Sequence, residues 1–196
     1  KEDESIWFCE NDVIKFSVDQ SFIRDRVKRI DFLPKNMIPE VKKFGKFTYK
    51  YIKEKGNVIS EKLSVNALEQ LLNIAHENLW SKTGEIDEIS KEHCYDFYKR
   101  KTSDRVNKYL QRFEEVDSVK VINEKKIDSV KNLLSKVNWK EICESPKWAL
   151  FHGDFHAENI IFSKKKNFVL LDWRQNFGKD NFQYGDTYYD LAKLNH

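Results

Sequence analysis

The chain has 196 residues, 40% of them hydrophobic, which is long enough and apolar enough to bury a sizeable core. Its 35 basic and 32 acidic residues leave a net charge of +3, too little to argue for nucleic acid as a partner. Cys9, Cys94 and Cys143 are odd in number and far apart, and no stretch approaches the roughly 20 apolar residues of a membrane span, so a cytoplasmic protein with reduced thiols and no membrane span is expected.

Taken in chain order, Ile6-Trp7-Phe8-Cys9 and Val13-Ile14-Lys15-Phe16 are short apolar runs around Glu10-Asn11-Asp12, the pattern of a β-hairpin. Lys15 falls on the second strand, where a lysine ordinarily faces outward. Residues 19–33 carry Phe22, Ile23, Val27, Ile30 and Leu33 at helical spacing, and Arg24, Arg26, Lys28 and Arg29 among them read as a solvated face. A proline-punctuated stretch and further strand-like runs follow, of which Phe47-Thr48-Tyr49-Lys50-Tyr51-Ile52 is the clearest. The spacing then predicts three helical stretches, over 60–80, from His93 to about Phe113, and over 127–137. Their aromatic residues read as core before they read as the lining of a pocket for a quaternary ammonium. Ile160-Ile161-Phe162 and Phe168-Val169-Leu170-Leu171 form a second hairpin, and the run Lys164 to Lys166 sits in its polar turn.

Two segments carry chemistry: His152-Gly153-Asp154-Phe155-His156-Ala157-Glu158-Asn159-Ile160, and Leu171-Asp172-Trp173 after the hairpin. Phosphoryl transfer leaves a protein little covalent work, so catalysis reduces to aligning the acceptor oxygen and neutralising phosphate charge. A carboxylate at 154 can orient a hydroxyl. An amide oxygen five residues later and a second carboxylate at 172 suit magnesium, which favours oxygen ligands. A rival reading makes His152, Asp154 and His156 the metal triplet of a hydrolase, but His76, His93 and His196 lie in unrelated contexts and supply no further ligand. The simplest role for His152 and His156 is to brace the loop.

From His152 to Trp173 the chain resembles the aminoglycoside phosphotransferase and choline kinase family, a branch of the protein-kinase-like fold that phosphorylates small molecules. Protein kinases more often have Arg where Gly153 stands and Phe-Gly where Trp173-Arg174 stands. The segment Gly185-Asp186-Thr187-Tyr188-Tyr189-Asp190-Leu191-Ala192 is similar to that family's Asp-Leu-Ala helix start, although Arg174 and Asp190 receive no assigned role.

The resemblance implies an α+β, two-lobed protein-kinase-like fold. Residues 1–56 would form a small, incomplete antiparallel-sheet N-lobe, and residues 57–196 a mainly helical C-lobe with the catalytic loop and metal site. It implies that Asp154 is the catalytic base, that Asn159 and Asp172 hold Mg2+, and that Lys15 fixes the α and β phosphates of ATP. Asp25 or Asp31 would pair with Lys15, and backbone groups at Tyr51, Ile52 and Lys53 would bond the nucleotide base. The implied activity is transfer of the ATP γ-phosphoryl group to a small-molecule hydroxyl acceptor: an amino alcohol such as choline or ethanolamine, a sugar, or an aminoglycoside. Acidic residues near Asp190 would suit a cationic acceptor and Arg174 would oppose one. No Gly-rich loop is visible, and a charged start without an initiator Met and a stop at His196 read as clipped ends. The strand and loop before Ile6 are therefore expected outside this sequence, with fusion to another catalytic domain left open. The competing reading is a noncatalytic kinase-like nucleotide-binding module.

Overall fold

The computed structural model describes residues 3–61, 63–165 and 167–195. Lys166 in the hairpin turn, Lys1 and Glu2 at the charged start, and His196 lie outside the described residues. Contacts divide the chain into two compact units, Lys1–Glu85 with Lys147–His196, and Ile86–Pro146. The boundary expected at residue 56 falls inside the first unit.

The first unit begins with the anticipated hairpin, β1 (Glu4–Phe8) and β2 (Asp12–Ser17). Helix α1 (Gln20–Arg29) starts where Asp19 accepts hydrogen bonds from the backbone N–H groups of Ser21 and Phe22 at 2.8 and 3.2 Å, satisfying two donors of the first turn. Strands β3 (Val41–Lys43) and β4 (Thr48–Ile52) complete an antiparallel sheet of order β1-β2-β4-β3. The two-residue period of β2 turns Val13, Lys15 and Ser17 to the buried face. Across from Lys15 and Val13, β4 sets Tyr49 and Tyr51 on that same face. Lys15 is only 8% exposed, so it points inward, against the ordinary expectation for a strand lysine.

Chain tracing continues with β5 (Asn57–Val58) and α2 (Val65–Ala75), capped by Ser64 and prolonged by a π-helical turn, His76–Trp80. The second unit holds α3 (Glu88–Cys94), a π turn Tyr95–Arg100, α4 (Lys101–Arg112), the short pair β6 (Val121–Ile122) and β7 (Lys125–Lys126), then α5 (Val130–Ser135) and α6 (Trp139–Glu144). The helix expected to open at His93 opens at Glu88 instead. Asp87 and Ser90 form a reciprocal capping box there, with Ser90 N–H donating to Asp87 at 2.7 Å and Asp87 N–H to Ser90 Oγ at 2.9 Å.

The chain returns to the first unit with β8 (Trp148–Leu150), β9 (Ile160–Ser163), β10 (Asn167–Leu170), β11 (Tyr184–Asp186) and α7 (Thr187–Leu194). Strand β9 lies between β10 and β5, both antiparallel to it, so residues just past position 56 are stitched to the β9-β10 hairpin. One hydrophobic cluster joins Leu33, Met37 and Ile38, which follow α1, to Leu71 and Leu79, and to Phe155, Ile160, Leu170 and Trp173 on the loop and hairpin between β8 and β11. Each such side chain contributes roughly 1.5–3 kcal/mol when fully buried. Among the described residues no helix is long and apolar enough to cross a membrane.

Candidate active site

The loop that carries Asp154 runs from β8 to β9 and is pinned from two sides. Asp190, one turn into α7 and fully buried, accepts hydrogen bonds from the backbone N–H of His152 (2.8 Å) and of Gly153 (2.6 Å) and from the indole N–H of Trp80 (3.1 Å). The α7 N-cap is Asp186, so Asp190 is an interior anchor and not the helix start. From the other side Arg29 of α1, also fully buried, donates through Nη2 to the Phe151 carbonyl and lies over the Phe151 ring, 4.4 Å from its centroid. Burial pushes the Asp190 carboxyl up to about 6 against its three hydrogen bonds, and pushes the Arg29 guanidinium down to about 9 against the attraction of Asp190. The three N–H donors around Asp190 favour its ionised form. Asp190 is spent inside the protein and offers no negative surface of its own.

Gly153 has φ +88°, and a Cβ there would lie 2.5 Å from Arg174 Cβ and 2.7 Å from the Phe151 ring. Only glycine fits that left-handed, crowded position. Phe155 is buried against Trp80 in an edge-on contact of 5.4 Å, which leaves Asp154 on the open side of the turn.

Asp154 is held at three points. Lys193 Nζ, one turn beyond Asp190 on α7, lies 2.8 Å from Oδ1. Asn159 Nδ2 donates to Oδ2 at 3.1 Å and to the Asp154 carbonyl at 3.0 Å. Burial alone would raise the Asp154 carboxyl, but the hydrogen bond and charge of Lys193, with His156, outweigh it and hold the group below the usual carboxylate range. With the Asn159 amide nitrogen so engaged, the amide oxygen is the group it has to present elsewhere. The Leu171 N–H donates to the Asn159 carbonyl at 2.8 Å, tying the end of the hairpin to its start.

Asp172 follows with φ +57°, a left-handed conformation uncommon for a non-glycine residue. Trp173 behind it is buried, packs 6.4 Å from the Tyr49 ring and donates its indole N–H to the Arg26 carbonyl at 3.0 Å. Asp172 is thereby fixed under α1 and the sheet. Its Oδ1 contacts Lys15 Nζ and accepts from Arg26 Nη1 at 3.0 Å. The carboxylates expected to pair with Lys15 are elsewhere: Asp25 accepts from Arg24 Nε at 2.7 Å, and Asp31 lies 3.9 Å from Lys35. The reading of the arginines of α1 as a solvated face is corrected too. Arg26 and Arg29 fall on the stripe of Ile23, Val27 and Ile30, and a guanidinium there turns inward because a backbone carbonyl and a carboxylate await it.

At the expected base-binding segment, the N–H groups of Ile52 and Lys53 donate to the carbonyls of Glu40 (3.2 Å) and Asn11 (2.9 Å), and Tyr51 is paired in the sheet. Those two donors are committed to the sheet margin. A cavity of about 900 Å³ borders Lys53, Gly56, Ile59, Ala67, Phe162 and Lys165, and neither Asp154 nor Asp172 lines it.

The two histidines differ in setting. His152 is fully buried; its Nδ1 accepts the Asp154 N–H at 3.3 Å, which places its proton on Nε2. Burial drives its pKa down to about 3 from an ordinary 6.5, only partly opposed by Asp154. An unfolded chain protonates this imidazole below about 6.5 while the folded one stays neutral, so stability falls as pH drops from about 6.5 toward 3. The urea midpoint gap between wild type and His152→Asn is expected to narrow between pH 7.5 and 4.5; a constant gap would contradict the neutral buried imidazole. His156 lies 3.6 Å from Asp154 Oδ2 through Nε2 and 3.1 Å from Glu158 through Nδ1. Among the described residues no group of three or more His, Cys, Asp or Glu is arranged to hold a metal ion.

An α+β fold of the protein-kinase-like class, with a carboxylate loop, a hairpin and a second carboxylate under a lysine-bearing strand, is what these elements define. The chain belongs to the phosphotransferase enzyme family APH, whose family model matches residues 49–195. Among solved structures it is similar to the gentamicin complex of APH(2")-IIa, with a TM-score of 0.53 at 19% identity over 97% of this chain and 66% of that one. It is likewise similar to the streptomycin–ATP ternary complex of APH(2")-IIa, with a TM-score of 0.55 at 18% identity over 97% of this chain and 67% of that one. The chain thus spans about two thirds of the length of those proteins. No curated protein sequence matches it.

Proposed function

We propose that this chain carries the phosphoryl-transfer centre of a small-molecule kinase, which moves the γ-phosphoryl group of ATP to a hydroxyl of a small acceptor. The observation that carries the reading is the joint placement of Asp154 and Asn159 on one pinned loop, with Asp172 brought back under Lys15 by the hairpin. Asp154, kept ionised beside Lys193, orients the acceptor hydroxyl and takes up its proton as transfer proceeds. The Asp172 carboxylate and the Asn159 amide oxygen fit magnesium, being hard oxygen donors with the competing amide nitrogen already bonded. Bound there, the metal would neutralise charge on the phosphates. Lys15, inward-facing and next to Asp172, is the cation for the α and β phosphates. For the base, the backbone of Tyr51 to Lys53 is the proposed contact, with the N–H groups of Ile52 and Lys53 already in use.

Family membership and the ATP-bound neighbour support ATP as donor. The aminoglycosides named in the neighbouring structures make that class one acceptor to test, beside sugars and amino alcohols. Asp172→Ala is expected to abolish magnesium-dependent turnover while the protein remains folded, since this side chain is partly exposed and its loss leaves no core cavity. Turnover measured against magnesium concentration, with a circular dichroism melt alongside, checks this. Undiminished turnover would remove Asp172 from the metal site.

A further inference from the structure

Helix α1 faces the phosphate centre with a cation where a carboxylate was expected. Arg26 Nη1 lies 3.0 Å from Asp172 Oδ1, the oxygen that Lys15 Nζ also contacts, so two cations converge on one carboxylate oxygen. Neither cation is loose: the side chains of Lys15 and Arg26 are 11% and 15% exposed, against 31% for Asp172. The Arg26 guanidinium lies over the Phe22 ring, 4.7 Å from its centroid, and its own carbonyl is held by the Trp173 indole. It also acts on the Tyr49 hydroxyl, where the charge of Glu4 is felt as well. Asp25, one residue earlier, is bonded to Arg24. Arg26 Nε is buried and has no hydrogen-bond partner among the described residues.

We propose that Arg26 is a second phosphate-binding cation, which together with Lys15 grips the phosphate chain of the bound nucleotide. The inference rests on the reading of Asp172 as a metal ligand. Once that carboxylate serves a metal, its charge is shared with the metal, and the phosphates that arrive with the metal supply new anionic oxygens for the two cations. A guanidinium suits this exchange because its planar fork matches two phosphate oxygens at once and stays charged when desolvated. A lysine at the same position offers a point charge and recovers only part of the contact. The sheet side of the site therefore supplies two positive charges to the nucleotide, one from β2 and one from α1.

Calorimetric titration of ATP with magnesium into the full chain tests this, using wild type, Arg26→Gln and Arg26→Lys, with the melting midpoint without nucleotide as the check on folding. Arg26→Gln is expected to weaken ATP binding about tenfold or more, equivalent to about 1.4 kcal/mol or more, with Arg26→Lys recovering part of it. An ATP affinity for Arg26→Gln within twofold of wild type overturns the proposal. So does a loss that Arg26→Lys leaves unrecovered, because that pattern belongs to a packing role. If wild type itself binds no ATP, the kinase reading falls first and this inference with it, an outcome distinct from the other two.

Discussion

Asp190→Ala is expected to destabilise the first unit by about 3–5 kcal/mol, the cost typical of stripping one partner from a buried charged network. Three donors lose their acceptor together: the His152 and Gly153 N–H groups and the Trp80 indole. Arg29, fully buried and attracted to this carboxylate, would keep its charge with only the Phe151 carbonyl and ring for company. For a chain of this size that loss corresponds to a fall in melting midpoint of roughly 6–20 °C. Asp190→Asn retains one acceptor oxygen and is expected to fall between the two. A melting midpoint for Asp190→Ala within a degree or two of wild type would mean that the loop is held by something other than this network. Activity should drop alongside stability, because the same hydrogen bonds fix the backbone that presents Asp154.

Asp154→Asn has the opposite profile. The amide keeps the shape of the carboxylate and still accepts from Asn159 Nδ2, so folding is expected to change little. What disappears is the negative charge that Lys193 holds in place and that, in the proposed mechanism, receives the acceptor proton. Loss of a general base costs about 10²–10⁴-fold in rate. ATP binding should survive, since the proposed role of this carboxylate is toward the acceptor. A variant with near-normal transfer would show that Asp154 orients nothing the reaction needs.

The residues legible in the sequence are those whose chemistry is local. Asp154 and Asn159 sit five positions apart on one loop, and Asp172 returns after a hairpin whose alternating apolar strands can be read directly. Lys15 stood out by the order of the elements around it, and the structure turns it inward beside Asp172. Arg26, Arg29, Lys193 and Trp80 were not assigned a role, and each acts on a partner far along the chain: Arg26 meets Asp172 across 146 positions and Arg29 meets Phe151 across 122. A periodicity argument groups charged residues on the polar side of a helix. It cannot tell that a guanidinium on the apolar stripe has a buried acceptor. Spacing did hold a usable hint, because Arg26 lies three residues after Ile23 and four before Ile30, and Lys193 lies three after Asp190. The short strands β8 and β11 escaped notice for a simpler reason: three residues each carry no period.

Phosphorus NMR of the chain with ATP, magnesium and a panel of aminoglycosides, sugars and amino alcohols tests the central claim most directly. A new phosphoester resonance is expected with at least one acceptor, absent without acceptor and absent with Asp154→Asn. Bound ATP that yields no phosphoester with any acceptor, and a slow release of phosphate equal in wild type and Asp154→Asn, would contradict it and favour a nucleotide-binding module without transfer.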